Sequence, residues 1–575
     1  MRMIVIKPFL KTPLLAAFFC AACLSACAPE PENKQVQCSS QTTPIANVQG
    51  NGDKSPLLNQ LVTVRGVVSL LEPEQGFYLE EPESDTNQDT SNALYVQTAT
   101  FTSNITRGSS IVVQGRVAEI GESRDTLTAI TDTTGIELCA SSQPLPLTPV
   151  GLPLDTEKRE SLEAMRIHMD GPVSVTDVYQ FGRGNITLSG NGLQYVPTEV
   201  MMPGPKVAAY LSRNRSFTLP AKIPLQSNDY DVLVSGMTVE KVTGVMAHDK
   251  RGKRVSLETM ETPKIAAFEP PEPAGDGVIR AVGMNLYNYF NGDGKGAGFP
   301  TPRGAKSARE FQAQRARIGA AIRLLDPQVV AVMELENDGF DANSAAQDFI
   351  RLTTGATNHR WRVARPKNDD TGSDKITVGI FYREDQLQAI GPAHTLTGPE
   401  FERSRQPQAQ LFERRDNGER LLIVINHLKS KGSCPESGEN ADQKDGQGCW
   451  NPMRRAAAKI MSAWANRVAM DAGTNNILIL GDMNAYRNED PIEMIRQAGF
   501  TELMDRGQGS REPEHSFAYF GQHGTLDYAF VSKQLHEKIK QAYIWKVNAT
   551  LPAHTRLPRP WLRFSDHDPV IVDVF

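Results

Sequence analysis

The last 300 residues of the chain alternate between short apolar runs and amphipathic helical segments. The apolar runs predict strands at residues 279–284, 328–333, 376–382, 421–425, 476–480, 526–531 and 570–574. Helices are predicted at 307–325, where Phe311, Ile318, Ile322 and Leu325 share one stripe, and at 452–470, where Ala456, Ile460, Trp464 and Val468 recur every four residues. This alternation predicts an α/β domain over residues 276–575.

Polar residues follow or open almost every one of these strands. Asn285 and Glu334 end the first two strands, and His427 ends the fourth. The fifth leads into Asp482 and Asn484, Asp527 lies in the sixth, and Ser565-Asp566-His567-Asp568 precede the last. Ligand sites in open α/β sheets gather at strand ends, so these side chains are expected to converge on one site.

In order and in local context, this set resembles the endonuclease/exonuclease/phosphatase superfamily over about residues 278–575. Met333 departs from the pattern, since most members carry glutamine there, but that position lies outside the chemistry. The resemblance implies an α/β four-layered sandwich of two packed β-sheets flanked by helices. It also implies an enzyme that hydrolyses phosphoester bonds with a divalent metal.

The residue roles that the resemblance implies agree with their chemistry. Asn285, Glu334 and Asp566 offer oxygen ligands for a divalent metal, Mg²⁺ first, with Mn²⁺ or Ca²⁺ as alternatives. The catalytic residues are then His567, paired with Asp527 and acting as general base or phosphoryl ligand, Asp482 and Asn484 for the attacking water, and His427 as general acid. Four further side chains are candidate phosphate contacts: Tyr382, Arg383, Lys429 and Lys431.

The N-terminus predicts export. Basic residues precede a short apolar stretch, and Leu24-Ser25-Ala26-Cys27 resembles a bacterial lipobox, which implies cleavage after residue 26 and lipidation of Cys27. Residues 27–39 would then be a tether. An ordinary signal peptide is the alternative. The protein is accordingly expected at the outer membrane or cell surface as a lipoprotein, or secreted, with a lipid anchor as its membrane contact and no protein partner evident.

Seven cysteines are present, and their positions predict two disulfides. Cys20 and Cys23 would leave with the signal and Cys27 would carry lipid, so an even number remains, as expected for an exported chain. Chain order favours the pairs Cys38–Cys139 and Cys434–Cys449. The alternative is four buried free thiols.

Two β-rich regions precede the α/β domain. Residues 40–143 contain short alternating runs that predict a small barrel or sandwich and resemble an OB-fold, in which Tyr78 and Tyr95 are either core residues or base-stacking residues. After a proline-rich linker, residues 154–265 predict a second β-rich domain for spacing or substrate docking. A net charge of −6 argues against a general basic coat and leaves a local basic groove open.

We expect an exported metal-dependent nuclease that hydrolyses phosphodiester bonds of extracellular DNA or RNA with little sequence specificity. Three features favour nucleic acid: local similarity to secreted bacterial nucleases, the preceding OB-like region, and export. A phosphomonoesterase or sphingomyelinase-type enzyme of the same superfamily is the alternative, although the sequence shows no obvious aromatic hairpin for entering a membrane. A non-catalytic DNA-binding surface lipoprotein is a third possibility.

Overall fold

The computed structural model describes residues 36–575, except 73, 84, 86, 100–103, 123–124, 225–232, 250–251, 262–267, 505–511 and 554–556. The predicted signal peptide (1–26), Cys27 and most of the 27–39 tether lie outside the described residues. Among the helices described, none is long and apolar enough to cross a membrane.

The first described region is a closed β-barrel preceded by a short helix. Its elements are α1 (Ile45–Gln49), β1 (Leu61–Glu72), β2 (Gly76–Glu80), β3 (Ala93–Gln97), β4 (Ser110–Glu122) and β5 (Asp125–Ala140), and the strands close in the order β1-β2-β3-β5-β4. Val64, Phe77, Leu94 and Val113 fill its interior. A disulfide joins Cys38 to Cys139 on β5, as chain order predicted. The OB-like assignment of this barrel stays a prediction from resemblance.

The second region is a curved sheet with short helices. Its elements are β6 (Thr148–Pro149), α2 (Thr156–Glu160), β7 (Arg166–Asp177), β8 (Asn185–Ser189), β9 (Gln194–Tyr195), α3 (Pro197–Val200), α4 (Lys206–Phe217), β10 (Thr218–Lys222), β11 (Thr238–Asp249) and β12 (Gly252–Met260), with a 3₁₀ turn at Phe181–Arg183. Six strands pair in the order β11-β12-β10-β8-β7-β6, and β11 also pairs with β7. Tyr78 and Tyr95 of the barrel are buried in the core of this region, so they are core residues and not a base-stacking surface.

The third region carries the predicted α/β pattern. Its strands are β13 (Ile279–Tyr289), β14 (Val329–Glu336), β15 (Trp361–Val363), β16 (Ile376–Arg383), β17 (Leu387–Thr395), β18 (Gln408–Arg414), β19 (Arg420–His427), β20 (Ile477–Asp482), β21 (Thr501–Glu502), β22 (Phe517–Tyr519), β23 (Gln522–Gly524), β24 (Asp527–Val531), β25 (Ile539–Ile544) and β26 (Val570–Val574). Its helices are α5 (Ala308–Leu325), α6 (Ala345–Thr357), α7 (Asn451–Asp471), α8 (Asp490–Gln497) and α9 (Lys533–His536), with 3₁₀ turns at Lys367–Asp369 and Pro399–Phe401.

Two six-stranded sheets pack face to face in this region. Their orders are β15-β16-β14-β13-β26-β25 and β17-β18-β19-β20-β24-β21, and one apolar core lies between them. Helices α5 and α6 cover the outer face of the first sheet, while α7 and α8 cover the outer face of the second. The polar ends of β13, β14, β19, β20 and β24 meet at one edge of this arrangement.

Each predicted strand and both predicted helices of this region are present, with ends shifted by a few residues. The stripe predicted for α7 is partly wrong, because Ile460 faces solvent while Ala457, Ala458, Met461 and Ala465 face the sheet. A helix in which alanine supplies the buried face carries little contrast in hydrophobicity, so the larger side chains misled the periodicity.

The second region is joined to the third through backbone pairing. Strand β9 of the second region extends the β22–β23 hairpin in parallel, and Thr176 donates its hydroxyl to the carbonyl of Gly521 at 2.8 Å. Behind this junction, Glu199 is buried, pairs with Arg487 at 3.1 Å, and accepts the amide of Thr525 at 2.9 Å. The second region is therefore fastened directly beside the strand ends that carry the polar residues.

Candidate active site

Strand pairing brings three of the predicted residues into one row. In the parallel pair β19–β20, His427 is opposite Asp482, and in the antiparallel pair β20–β24, Asp482 is opposite Asp527. Cross-strand partners in a sheet project to the same face. The atoms of Asp482, Asp527 and His567 that could coordinate a metal ion all lie within 4.8 Å of one another, so this group could also take part in metal binding.

His567 and Asp527 form a buried hydrogen-bonded pair. The distance from His567 Nδ1 to Asp527 Oδ2 is 2.7 Å, and the Ser516 hydroxyl donates to the same oxygen at 2.7 Å. Burial opposes the charged form, but the Asp527 carboxylate outweighs it and raises the pKa of His567 well above its usual range. His567 therefore carries a proton at neutral pH, with Nδ1 held by Asp527 and Nε2 left to donate.

His427 and Asp482 form a second pair, in which the pKa of the histidine is lowered and not raised. His427 Nε2 lies 3.3 Å from Asp482 Oδ2, and the amide of Asn484 donates to Asp482 Oδ1 at 2.8 Å. Burial and the Arg405 guanidinium lower the pKa of His427 to about 4. Burial alone would raise the pKa of Asp482. The neighbouring histidines His427 and His567 and the Asn484 amide outweigh burial and lower this pKa to about 2. At neutral pH the pair thus holds an ionised carboxylate beside a neutral imidazole.

Two predicted metal ligands, Asn285 and Glu334, lie near the C-terminal ends of β13 and β14, and the third, Asp566, lies in the loop before β26. Glu334 Oε2 accepts the amide of Asn288 at 2.8 Å, and Asn285 Oδ1 accepts the amide of Tyr287 at 2.9 Å. Tyr287, Asn288 and Glu334 all adopt left-handed backbone conformations, a costly arrangement that is common at functional sites.

The charges in this group fit a divalent cation. Burial and the nearby Asp566 carboxylate raise the pKa of Glu334 to about 7, and the positive charges of His567 and Arg405 offset this only in part. Carboxylate and amide oxygens are the ligands that Mg²⁺ and Ca²⁺ prefer. Asn285, Glu334 and Asp566 are therefore suited to hold such an ion.

Three buried residues that sequence reasoning missed support the site. Arg405, which precedes β18, donates to the carbonyl of Leu428 at 2.9 Å and places a positive charge near His427. Ser516 holds Asp527, and Asn548 donates to the carbonyl of His567 at 2.6 Å. None of them stands at the end of a predicted strand, so only the fold shows their proximity to the site.

Asp568 stabilises the loop before β26 and has no assigned catalytic role. Its Oδ1 accepts the backbone amides of Val547, Asn548 and Ala549 at 2.9, 2.6 and 3.2 Å. This carboxylate ties the loop before β26 to the segment after β25 and so fixes the position of His567.

Two predicted phosphate contacts, Tyr382 and Arg383, need correction. Strand β16 runs antiparallel to β14, so Tyr382 is opposite Val329 at the start of β14, far along the strand from Glu334. Tyr382 is buried between the sheets, and Arg383 pairs with Asp385 at 2.8 Å. The sequence does not reveal that β16 runs antiparallel to β14, and both residues were therefore predicted to lie at the site.

The two predicted lysine contacts differ from each other. Lys431 Nζ lies 2.5 Å from the buried Glu489 carboxylate, so its charge is already paired within the protein. Lys429 Nζ donates to uncharged oxygens of Ser430 and Gly432 and lies 5.3 Å from the Trp450 ring centre. Within the described part of the chain, Lys429 is thus the one of the pair whose charge is open to a ligand. The nearby disulfide Cys434–Cys449 is also present as predicted.

Comparisons with known proteins place this site in a family context. The profile of the Endonuclease/Exonuclease/phosphatase family matches residues 288–567. Similar solved structures include an endonuclease/exonuclease/phosphatase from Bacteroides vulgatus (16% identity, 52% of this chain, 99% of that chain, TM-score 0.36). The human Nocturnin catalytic domain with bound sulfate (16%, 52%, 95%, 0.34) and a mannosyl-6-phosphatase from Bacteroides thetaiotaomicron (15%, 52%, 100%, 0.36) are also similar. No curated protein matches the sequence significantly.

Proposed function

Residues 288–567 form a domain of the endonuclease/exonuclease/phosphatase family, and we propose that the chain is an exported, metal-dependent nuclease that cleaves phosphodiester bonds of extracellular DNA or RNA. One observation carries the proposal. The protonated His567–Asp527 pair and the ionised Asp482 lie within 4.8 Å of one another. This arrangement offers a hydrogen-bond donor for a phosphoryl oxygen and a hydrogen-bond acceptor that orients an attacking water.

Asn285, Glu334 and Asp566 would hold the metal, with Mg²⁺ favoured by the all-oxygen donor set and Mn²⁺ or Ca²⁺ as alternatives. When bound, the ion neutralises charge on the phosphate and on the leaving oxygen. The protein would fix these ligands through the backbone amides that already hold Asn285 and Glu334.

His567 would donate a hydrogen bond from Nε2 to a phosphoryl oxygen. The raised pKa of His567 supports this role over that of general base, because a protonated imidazole has no lone pair with which to accept a proton. Asp527 would hold the ring in place and keep it charged.

Asp482, which is ionised at neutral pH, and Asn484 would orient the attacking water. The low pKa of His427 argues against the general-acid role expected from the resemblance, because a neutral imidazole at pH 7 is a poor proton donor. His427 would instead position the Asp482 carboxylate, which it contacts at 3.3 Å.

Incubation of the purified protein with plasmid DNA or with RNA in Mg²⁺ or Mn²⁺ tests the proposal. Cleavage is expected to leave 5′-phosphate ends, to stop with EDTA, and to fall at least 100-fold in Asp482→Ala and His567→Ala. His536→Ala is the matched control, because this exposed histidine lies on α9 away from the site. If no nucleic acid is cleaved with any divalent metal, the proposal fails.

A sphingomyelinase-type or phosphomonoesterase activity is the second candidate, and one observation favours its lipid form. The sequence showed no obvious aromatic hairpin, but β22–β23 is such a hairpin, with Tyr519 62% and Phe520 81% exposed at its tip. Exposed aromatic side chains suit a membrane interface. Parallel assays on DNA, sphingomyelin vesicles and simple phosphate monoesters distinguish the candidates by which substrate has the highest kcat/KM.

We also propose export and lipidation at Cys27. The two disulfides support an oxidising compartment, because such bonds are rare in reducing cytosol. Expression with radiolabelled palmitate should label the wild-type chain and leave Cys27→Ser unlabelled. Equal labelling of both chains would contradict lipidation at this position.

A further inference from the structure

A cleft of about 690 Å³ opens between the second region and the catalytic domain. One wall consists of second-region residues around Thr176 and Tyr179, and the other of the β22–β23 hairpin. The cleft reaches Asp566 and Phe517, so it is continuous with the candidate active site. Its volume lies within the range of pockets that hold nucleotide-sized ligands and is too small for a double helix.

A ladder of aromatic rings leads out of the active site along the hairpin. The Phe517 ring centre lies 4.6 Å from that of His567, and the Tyr519 ring lies 6.4 Å further on, nearly parallel to Phe517 at 14°. Phe520 packs against Tyr519 at 4.5 Å. The ladder therefore runs from the histidine proposed to bind phosphate to the solvent-exposed hairpin tip.

The second region contributes a ring to the same space. Tyr179 is 50% exposed, and its amide is fixed by Asp177 Oδ1 at 2.8 Å. Tyr179 lines the cleft together with Tyr519 and Phe520. Among the described residues, the large aromatic side chains that are exposed are Tyr179, Tyr287, Tyr519 and Phe520. Three of them line this cleft, and the amide of Tyr287 donates to the proposed metal ligand Asn285.

Of the three cations that line the cleft, only Arg563 makes no ion pair within the described residues and can bind a phosphate. Arg254 is paired with Asp249, and Lys253 is paired with Glu160 and Glu163. Arg563 donates to the carbonyl of Asn548 and makes no ion pair within the described residues. Two acids, Asp177 and the proposed metal ligand Asp566, also line the cleft. A ring-lined cleft with one guanidinium that makes no ion pair suits bases joined by a flanking phosphate. It suits an anionic membrane surface poorly, since that would require several open cations.

We propose that this cleft binds the unpaired bases next to the scissile phosphate, clamped between Tyr179 and the Tyr519–Phe520 tip, and that it makes the enzyme selective for single-stranded nucleic acid. The proposal rests on the nuclease function proposed above and assigns its strand selectivity to the second region. It also replaces the barrel as the expected base-stacking surface, since Tyr78 and Tyr95 are buried.

Two kinetic measurements test the clamp, with a single-stranded 20-mer, the blunt duplex of the same sequence, and methyl p-nitrophenyl phosphate as substrates. The wild type should have a kcat/KM for the single strand at least tenfold above that for the duplex, because unpairing costs free energy. Tyr179→Ala and Phe520→Ala should each raise KM for the single strand about tenfold, the usual effect of removing one stacking ring. Both should leave kcat/KM for the small ester within twofold.

Tyr179→Phe and Phe520→Tyr keep a ring and should retain the wild-type KM. Met470→Ala removes an equally exposed apolar side chain on α7 and should have no effect. Equal loss on the oligonucleotide and the small ester would overturn the clamp, as would an unchanged KM in both alanine variants. Loss of binding to sphingomyelin vesicles with an unchanged single-strand KM would also overturn it, in favour of a membrane contact.

Binding distinguishes failure of the clamp from failure of the proposed nuclease. In an Asp482→Ala background with Mg²⁺, fluorescence anisotropy should show binding of a labelled 20-mer that falls about tenfold on adding Tyr179→Ala. Such binding without cleavage by the wild type would overturn the nuclease function alone. Cleavage by the wild type without ring-dependent binding would overturn the clamp alone.

Discussion

At the scale of single residues, Asp527 connects the fold to the proposed chemistry. One of its oxygens accepts both Ser516 and His567, and burial raises the pKa of Asp527 itself to about 6. The raised pKa of His567 depends on this carboxylate being charged and close. Geometry and charge are therefore set by one contact that joins residues 40 positions apart in sequence.

Asp527→Asn should remove that charge and keep the shape. We expect the pKa of His567 to fall towards or below its usual value, because burial is no longer opposed, and kcat to fall about 100-fold or more. NMR titration of the histidine signals and kcat at pH 7 check both effects. If His567 keeps its raised pKa in this variant, the carboxylate is not the cause.

Lys429 and Lys431 provide a matched pair of substitutions. Lys429→Met should lower the free energy of unfolding by only about 1 kcal/mol, because it removes hydrogen bonds to uncharged oxygens and no ion pair. It should also reduce the slope of log affinity against log salt for single-stranded DNA by about 0.7, the value for one phosphate contact. Lys431→Met should lower the free energy of unfolding by about 3 kcal/mol, because it leaves Glu489 buried without its partner. Chemical denaturation and salt titration separate the two, and a reversed pattern would contradict the assignment.

At the scale of elements, α7 shows where periodicity fails. Its buried face is built from alanines that let the helix approach the second sheet, while Ile460 lies outside. Helix α5, on the other sheet, was predicted correctly because its buried stripe includes large apolar residues. The contrast between large and small side chains, and not the helical period itself, decided which prediction succeeded.

Ala458→Leu should destabilise the protein by about 1–3 kcal/mol, because the added side chain has no room against the sheet. Ile460→Ala should lower stability by less than about 1 kcal/mol, because that side chain lies on the solvent-facing side of α7 and is 36% exposed. Denaturant midpoints of both variants check the prediction. A larger loss for Ile460→Ala than for Ala458→Leu would contradict the observed orientation of α7.

Strand β26 is an interior strand of the first sheet of the catalytic domain. A truncation before residue 564 would remove Asp566 and His567 together with β26. β26 pairs with both β13 and β25 inside a six-stranded sheet, so the truncation removes an interior strand and with it the fold of the domain. Loss of activity in such a chain would report unfolding and could not identify a catalytic residue.

At the scale of the whole molecule, the contact between the second region and the catalytic domain contains a buried acid. Glu199 pairs with Arg487 and accepts Thr525, and burial raises the pKa of Glu199 to about 7. A carboxyl whose pKa is higher in the folded than in the unfolded state costs stability as the pH rises from its unfolded pKa to its folded pKa. This cost applies between about pH 4.5 and pH 7.

Glu199→Gln keeps the hydrogen-bonding shape and cannot ionise. The melting temperature of the wild type should therefore fall relative to that of the variant as the pH is raised from 5 to 8, with a change in relative stability of at most about 3 kcal/mol. Thermal denaturation of both proteins across this range checks the slope. Parallel curves would show that Glu199 does not titrate in the contact.

The sequence alone determined the features that depend on local pattern. Hydrophobic periodicity predicts the strands and helices of the α/β domain. The order of the cysteines along the chain predicts both disulfides, and the order and local context of the polar residues indicate the superfamily of residues 288–567. These signals extend over a few residues, so no knowledge of distant contacts was needed.

Only the tertiary structure decided which of these residues act together. The direction of β16 places Tyr382 and Arg383 away from the site, and Lys431 forms an ion pair with Glu489. Different surroundings leave His427 neutral and His567 protonated at neutral pH. The cleft of Tyr179 and Phe520 joins residues more than 300 positions apart. Burial, strand direction and long-range pairing set these properties, and none of them leaves a periodic trace in the sequence.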